Sequence, residues 1–127
     1  MDKSTKNWFS LILINFSLAI SFGAMGAHAL EKTLSEKYLE TFLTGNRYHF
    51  LASIILFLLL LLEKSKDLSS TFKIPKVFIL VGMIIFSGGC YLYAISSVKF
   101  FAMIVPIGGL LMILGPLLAS ITVMREP

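Results

Sequence analysis

The chain reads as an all-α integral membrane protein, a four-helix bundle with a short amphipathic helix between helices 1 and 2. Three observations predict this. Of 127 residues, 57% are hydrophobic and only 14% charged, too apolar a balance for a soluble domain with a charged surface. No Asp, Glu, Lys or Arg falls in residues 8–30, 48–62, 77–98 or 100–124, so four apolar runs stand between polar connections. A bilayer core of roughly 30 Å takes about 20 helical residues, and the second run reaches that length when extended back through Asn46 and Arg47. The predicted spans are about 8–30, 46–62, 77–98 and 100–124, in a single domain over residues 1–127.

Helix 1 opens with Trp8 as an interfacial anchor and then turns from bulky residues to Gly23, Ala24, Gly26 and Ala27. Ala19, Gly23 and Ala27 are spaced by four, which makes a smooth stripe for close helix approach. Lys3 and Lys6 before an apolar run, with Ala27-His28-Ala29 after it, also fit a secretory signal with a cleavage site. The length of the run and the spans behind it favour a retained helix. In the first connection Leu34, Tyr38, Phe42 and Leu43 share a helical face. Thr33-Leu34-Ser35-Glu36 fits a capping box, which predicts a short surface helix ending near Gly45. The leucine-rich body of helix 2, Leu56 to Leu62, reads as lipid-facing. Pro75 suits the first turn of helix 3. Pro106 and Pro116 predict two bends in helix 4, and the short turn between helices 3 and 4 makes them antiparallel neighbours.

The net charge of +4 does not point to nucleic acid, because the lysines sit in the connections and not on one basic face. They serve as topology signals. With alternating sides, Lys3, Lys6, Lys64, Lys66, Lys73, Lys76 and Arg125 face Lys32, Lys37, Arg47 and Lys99 across the membrane. The positive-inside rule then places both termini in the cytoplasm and the chain in the cell membrane. Cys90, the single cysteine, excludes an intramolecular disulfide, and within an apolar span nothing activates it.

Counting inward at about 1.5 Å per residue brings the unusual residues of all four helices together in the outer half of the membrane. His28, Glu31, Arg47, Tyr48, His49, Ser87 and Tyr91 form the candidate binding cluster. Gly23, Gly26, Gly88, Gly89, Pro106, Gly108 and Gly109 are the expected packing and bending positions. The cluster is either a wet polar ring between tightly packed helices or a pocket for a lipid headgroup, a quinone-like molecule or a metal. His28 and Glu31, with His49 joining from helix 2, would make a two-histidine, one-carboxylate set. No ligand-spaced motif supports it, so no metal or other cofactor is expected. Nor is catalysis, since no acidic residue within the spans is placed to orient a histidine. The paired glycines lie inside apolar spans and are not phosphate loops. A proton-coupled exchanger normally carries an ionisable group in its cavity, whereas helix 1 offers only Asn15, Ser17 and Ser21.

Four stretches in order, GAMGAHAL (23–30), TGNRYHFLA (44–52), FSGGCYLYA (86–94) and VPIGG (105–109), resemble the YgdD/YwdK-like family of small membrane proteins, the domain of unknown function four-two-three. The resemblance implies a four-helix membrane protein and supplies no reaction. Its matching positions are Gly23, Gly26, His28, Gly45, Tyr48, Ser87, Gly88, Tyr91, Pro106, Gly108 and Gly109. The chain departs at Ala52, where the family commonly has a second histidine, and at Val105, where it commonly has a threonine. The expected role is non-catalytic: an accessory or packing subunit, or a binder of lipid or another hydrophobic molecule. The expected partners are membrane lipids, with a membrane-protein partner or a second copy. The alternative is transport of a small molecule or lipid.

Overall fold

The computed structural model describes residues 1–65 and 71–126. They form four helices, α1 (Lys3–Ala27), α2 (Glu36–Ser65), α3 (Lys73–Ser96) and α4 (Lys99–Arg125), each long and apolar enough to cross a membrane. Lys66, one of the expected orientation lysines, lies outside the described residues.

Helix ends follow local hydrogen bonding more than hydropathy. α1 starts five residues before the predicted span because Asp2 accepts the Thr5 backbone N–H at 3.2 Å and also the Thr5 hydroxyl. The Thr5 hydroxyl holds the Asp2 carboxyl well below its ordinary range, at about 2, so this N-cap stays charged at neutral pH. α1 stops at Ala27, where His28 caps the C-terminus by donating its N–H to Ala24. α3 starts earlier than predicted, with Pro75 in its first turn. It ends at Ser97, whose left-handed backbone (φ 60°) turns the chain and donates N–H to Tyr93. α4 runs as one helix with Pro106 and Pro116 both inside it.

The separate amphipathic helix is corrected. The chain is helical there, but it runs without interruption into the second span, giving α2 30 residues. The helix opens at Glu36, so Thr33 does not cap it. The Thr33 hydroxyl instead turns back to the carbonyls of Ala29 and Leu30. Gly45 does not end a helix, because it is needed for contact: a Cβ there would stand 2.6 Å from Cβ of Cys90 on α3. At 1.5 Å per residue α2 is about 45 Å long, against a bilayer core of about 30 Å. Some ten residues of it therefore project beyond the hydrocarbon.

α2 is the centre of the bundle, flanked by α1 and α3, while α4 packs along α3 and touches α2 only marginally. The main core joins Ile12 of α1, Leu56 and Leu60 of α2, Phe72, Ile79 and Met83 of the α3 region, and Ala119 of α4. The leucine-rich body of α2 is thus core on one side, with Leu56 and Leu60 buried, and lipid-facing only at Leu58 and Leu61. A smaller cluster of Phe42, Tyr91 and Ala94 lies toward the α1–α2 connection.

The α3/α4 seam depends on glycines spaced by seven on each helix. A Cβ on Gly82 would meet the Gly108 carbonyl at 2.8 Å, and one on Gly108 would collide with the Phe86 backbone. Gly89 lies against Phe101 and Val105, and Gly115 against Ile79. Two expected packing positions differ. Gly88 has nothing within 4 Å, and Gly109 meets only the Phe86 ring at ordinary distance.

Candidate functional site

Asn15, Asn46, His49 and Tyr91 form one buried network across α1, α2 and α3, whereas the buried Ser87 hydroxyl has no hydrogen-bond partner. His49 Nδ1 lies 3.0 Å from the Tyr91 hydroxyl, and His49 Nε2 lies 3.4 Å from Asn15 Oδ1. Asn15 Nδ2 donates to the Leu11 carbonyl at 2.9 Å, and Asn46 Nδ2 donates both to the Ala19 carbonyl at 2.8 Å and to Tyr91 Oη at 3.1 Å. One assignment gives each of the contacts to Tyr91 and His49 one donor and one acceptor. Asn46 donates to Tyr91, Tyr91 donates to His49 Nδ1, and His49 Nε2–H donates to Asn15. The imidazole in this assignment is neutral, because a second ring proton would leave the Tyr91 hydroxyl proton without an acceptor. Gly23 makes the space: its absent Cβ would stand 2.9 Å from Asn46 Oδ1. Phe22 and Phe42 close over the Tyr91 ring at 4.8 and 4.7 Å.

Of the seven predicted cluster residues, His49, Ser87 and Tyr91 are buried at the α2/α3 seam. The structure does not gather the other four with them. His28 and Glu31 are exposed in the turn after α1, and Arg47 and Tyr48 point outward from α2. Arg47 donates to Thr44, and Tyr48 packs edge-on against Phe86. On a helix His49 and Tyr48 face about 100° apart, which is why one is core and its neighbour is not. His49 turns inward, away from His28 and Glu31, and among the described residues no His, Cys, Asp and Glu group would hold a metal. The network is also deeper than the predicted level, since Asn15 lies about 18 Å from the end of α1. Asn15 and Asn46 were missed as members. The available signal was an amide within an apolar run, a costly residue there without partners.

A second buried polar site lies at the termini end. Glu63 accepts the Phe72 backbone N–H at 2.8 Å and pairs with the Lys76 ammonium at 2.5 Å. Both side chains are almost wholly enclosed, 7% and 3% exposed, and the ammonium sits over the Trp8 ring at 4.7 Å. Lys76 is therefore part of α3 and its packing, where a loop lysine was expected, and Trp8 is its cover. The loop reading failed because Glu63 and Lys76 are 13 apart in sequence and meet only when α2 and α3 pack.

At the opposite end the first turns of α2 leave a groove of about 510 Å³ beside α3 and α4. Its wall is Glu36, Lys37, Glu40, Thr41 and Thr44 of α2, and its floor is Phe86, Cys90 and Val105. Gly45 abuts Cys90, so Glu40 stands about 7–8 Å above the floor and Glu36 one turn higher. Charge thus lies toward the α1–α2 connection, with apolar surface below it. A second hollow, on the other flank of the same ridge, shares Glu36 and Glu40 and is completed by Leu39, Leu43, Asn46 and Arg47.

Four apolar helices, three of them joined by an amide, imidazole and phenol network, define a small multi-pass membrane protein. The chain belongs to the family described as "Protein of unknown function (DUF423)", whose model matches residues 22–109. It is 30% identical over 102 residues to the UPF0382 membrane protein YwdK of Bacillus subtilis, covering 80% of this chain and 83% of that one. It is 34% identical over 105 residues to the UPF0382 membrane protein SAB0533 of Staphylococcus aureus, covering 80% and 82%. It is also 30% identical over 109 residues to the UPF0382 inner membrane protein YgdD of Escherichia coli, covering 84% and 82%. No solved structure matches the chain.

Proposed function

We propose that this protein is a non-catalytic membrane component that holds a lipid in the groove between α2 and the α3/α4 pair. The observation that carries the reading is the vertical order of that groove, charged and hydroxylated side chains above Phe86, Cys90 and Val105. A headgroup with an acyl chain beneath it has the same order. The buried His49–Tyr91 network sets the floor's position, since it fixes α2 against α3 and is itself fully engaged. Both termini are cytoplasmic in this reading, supported by the excess of cations on the termini side, so the groove opens to the outer leaflet. Accessory association with another membrane protein or a second copy would use the broad apolar face of α4.

Native mass spectrometry of protein released gently from its own membranes tests the proposal. Wild type should carry a lipid adduct that Thr41→Trp, which fills the groove from its wall, removes while the helix content stays unchanged. Bare wild-type spectra would contradict it. Transport of a small molecule or lipid is the second reading, favoured by His49 as an ionisable side chain among the spans. Substrate-stimulated flux in liposomes would favour it.

A further inference from the structure

Resting on the groove reading above, we infer that the site selects a zwitterionic phospholipid whose headgroup ends in a primary ammonium next to its phosphodiester. Glu36 and Glu40 are one helical turn apart, which brings their Cβ atoms to about 6 Å on one face of α2. Both line the groove, and among the described residues neither is in an ion pair. Two free carboxylates above an apolar floor accept a donor cation. Lys37 lines the same groove and pairs with neither carboxylate, its ammonium lying 5.6 Å from the Tyr38 ring centroid. It supplies a cation for a phosphodiester.

The three charges complement an ammonium and a phosphate carried together, and they discriminate among headgroups for separate reasons. A primary ammonium gives each carboxylate an N–H donor, and such charge-assisted bonds are about twice as strong as neutral ones. A quaternary trimethylammonium keeps the charge but has no donor. An anionic glycerol headgroup meets a wall with one net negative charge. The floor residues contribute to every one of these lipids equally, so the choice among them belongs to the wall.

The test uses the full chain in nanodiscs containing equal parts of phosphatidylethanolamine, phosphatidylcholine and phosphatidylglycerol, with retained lipid read by native mass spectrometry. Wild type should retain the ethanolamine lipid at least fivefold over either competitor. The double variant Glu36→Gln/Glu40→Gln, at exposed positions outside the core, should retain lipid with that preference lost and with an unchanged circular dichroism spectrum. Retention without preference, preference for the glycerol lipid, or preference surviving in the double variant overturns the headgroup assignment and leaves the groove standing. Absence of any retained lipid overturns both.

Discussion

Single residues in this protein are best understood through the partners that burial forces on them. The Tyr91 hydroxyl links Asn46 to His49, so Tyr91→Phe should lower unfolding stability by about 1 kcal/mol, in keeping with the modest worth of hydrogen bonds between membrane helices. Asn46→Ala should cost more, since it leaves both the Ala19 carbonyl and the Tyr91 oxygen without their donor. His28→Ala, at an exposed helix end, should change stability by less than about 0.5 kcal/mol. Denaturant titration in mixed micelles orders the three. At the other end, Lys76→Met strands the Glu63 carboxylate and should cost about 3–5 kcal/mol. Adding Glu63→Leu should recover part of that loss. A double variant weaker than Lys76→Met alone would show that the pair itself, and not the stranded charge, carries the stability.

The elements were legible in the sequence to the extent that charge marks a boundary. All four helices were visible because no charged residue interrupts the runs, and the short turn between helices 3 and 4 made those two antiparallel neighbours. The capping-box signal and Gly45 pointed to a break in α2, yet Gly45 is required by Cys90 across the interface, a contact with no local signature. The same limit applies to the site. His49, Ser87 and Tyr91 were identifiable by type, but which side chains meet depends on helix rotation, and a 100° step separates Tyr48 at the lipid surface from His49 in the core. Glycine identity was equally ambiguous, because spacing does not say which face a partner covers. Gly108→Val should therefore part α3 from α4 and cost about 1–3 kcal/mol by overpacking. Gly88→Ala, with open space beside it, should be neutral or stabilising by up to about 1 kcal/mol. Thermal unfolding of the two variants side by side checks this contrast.

At the scale of the whole molecule, α2 at about 45 Å is longer than a bilayer core of about 30 Å, and the groove lies along its first turns. The first turns of α2 carry its charge beside the C-terminus of α3, where Tyr38 packs against Tyr93. At the other end the Glu63–Lys76 pair closes the bundle against itself. The molecule is thus asymmetric along the membrane normal, with its solvated charge wall on the α1–α2 side. The measurement that tests lipid holding most directly is electron paramagnetic resonance of spin-labelled phosphatidylethanolamine with reconstituted protein. Wild type should give a motionally restricted component that persists in Ile84→Trp, on an exposed face of α3 outside the groove, and disappears in Thr41→Trp. A restricted component of equal size in all three proteins would assign it to ordinary contact between lipid and the helix surface and contradict a specific groove.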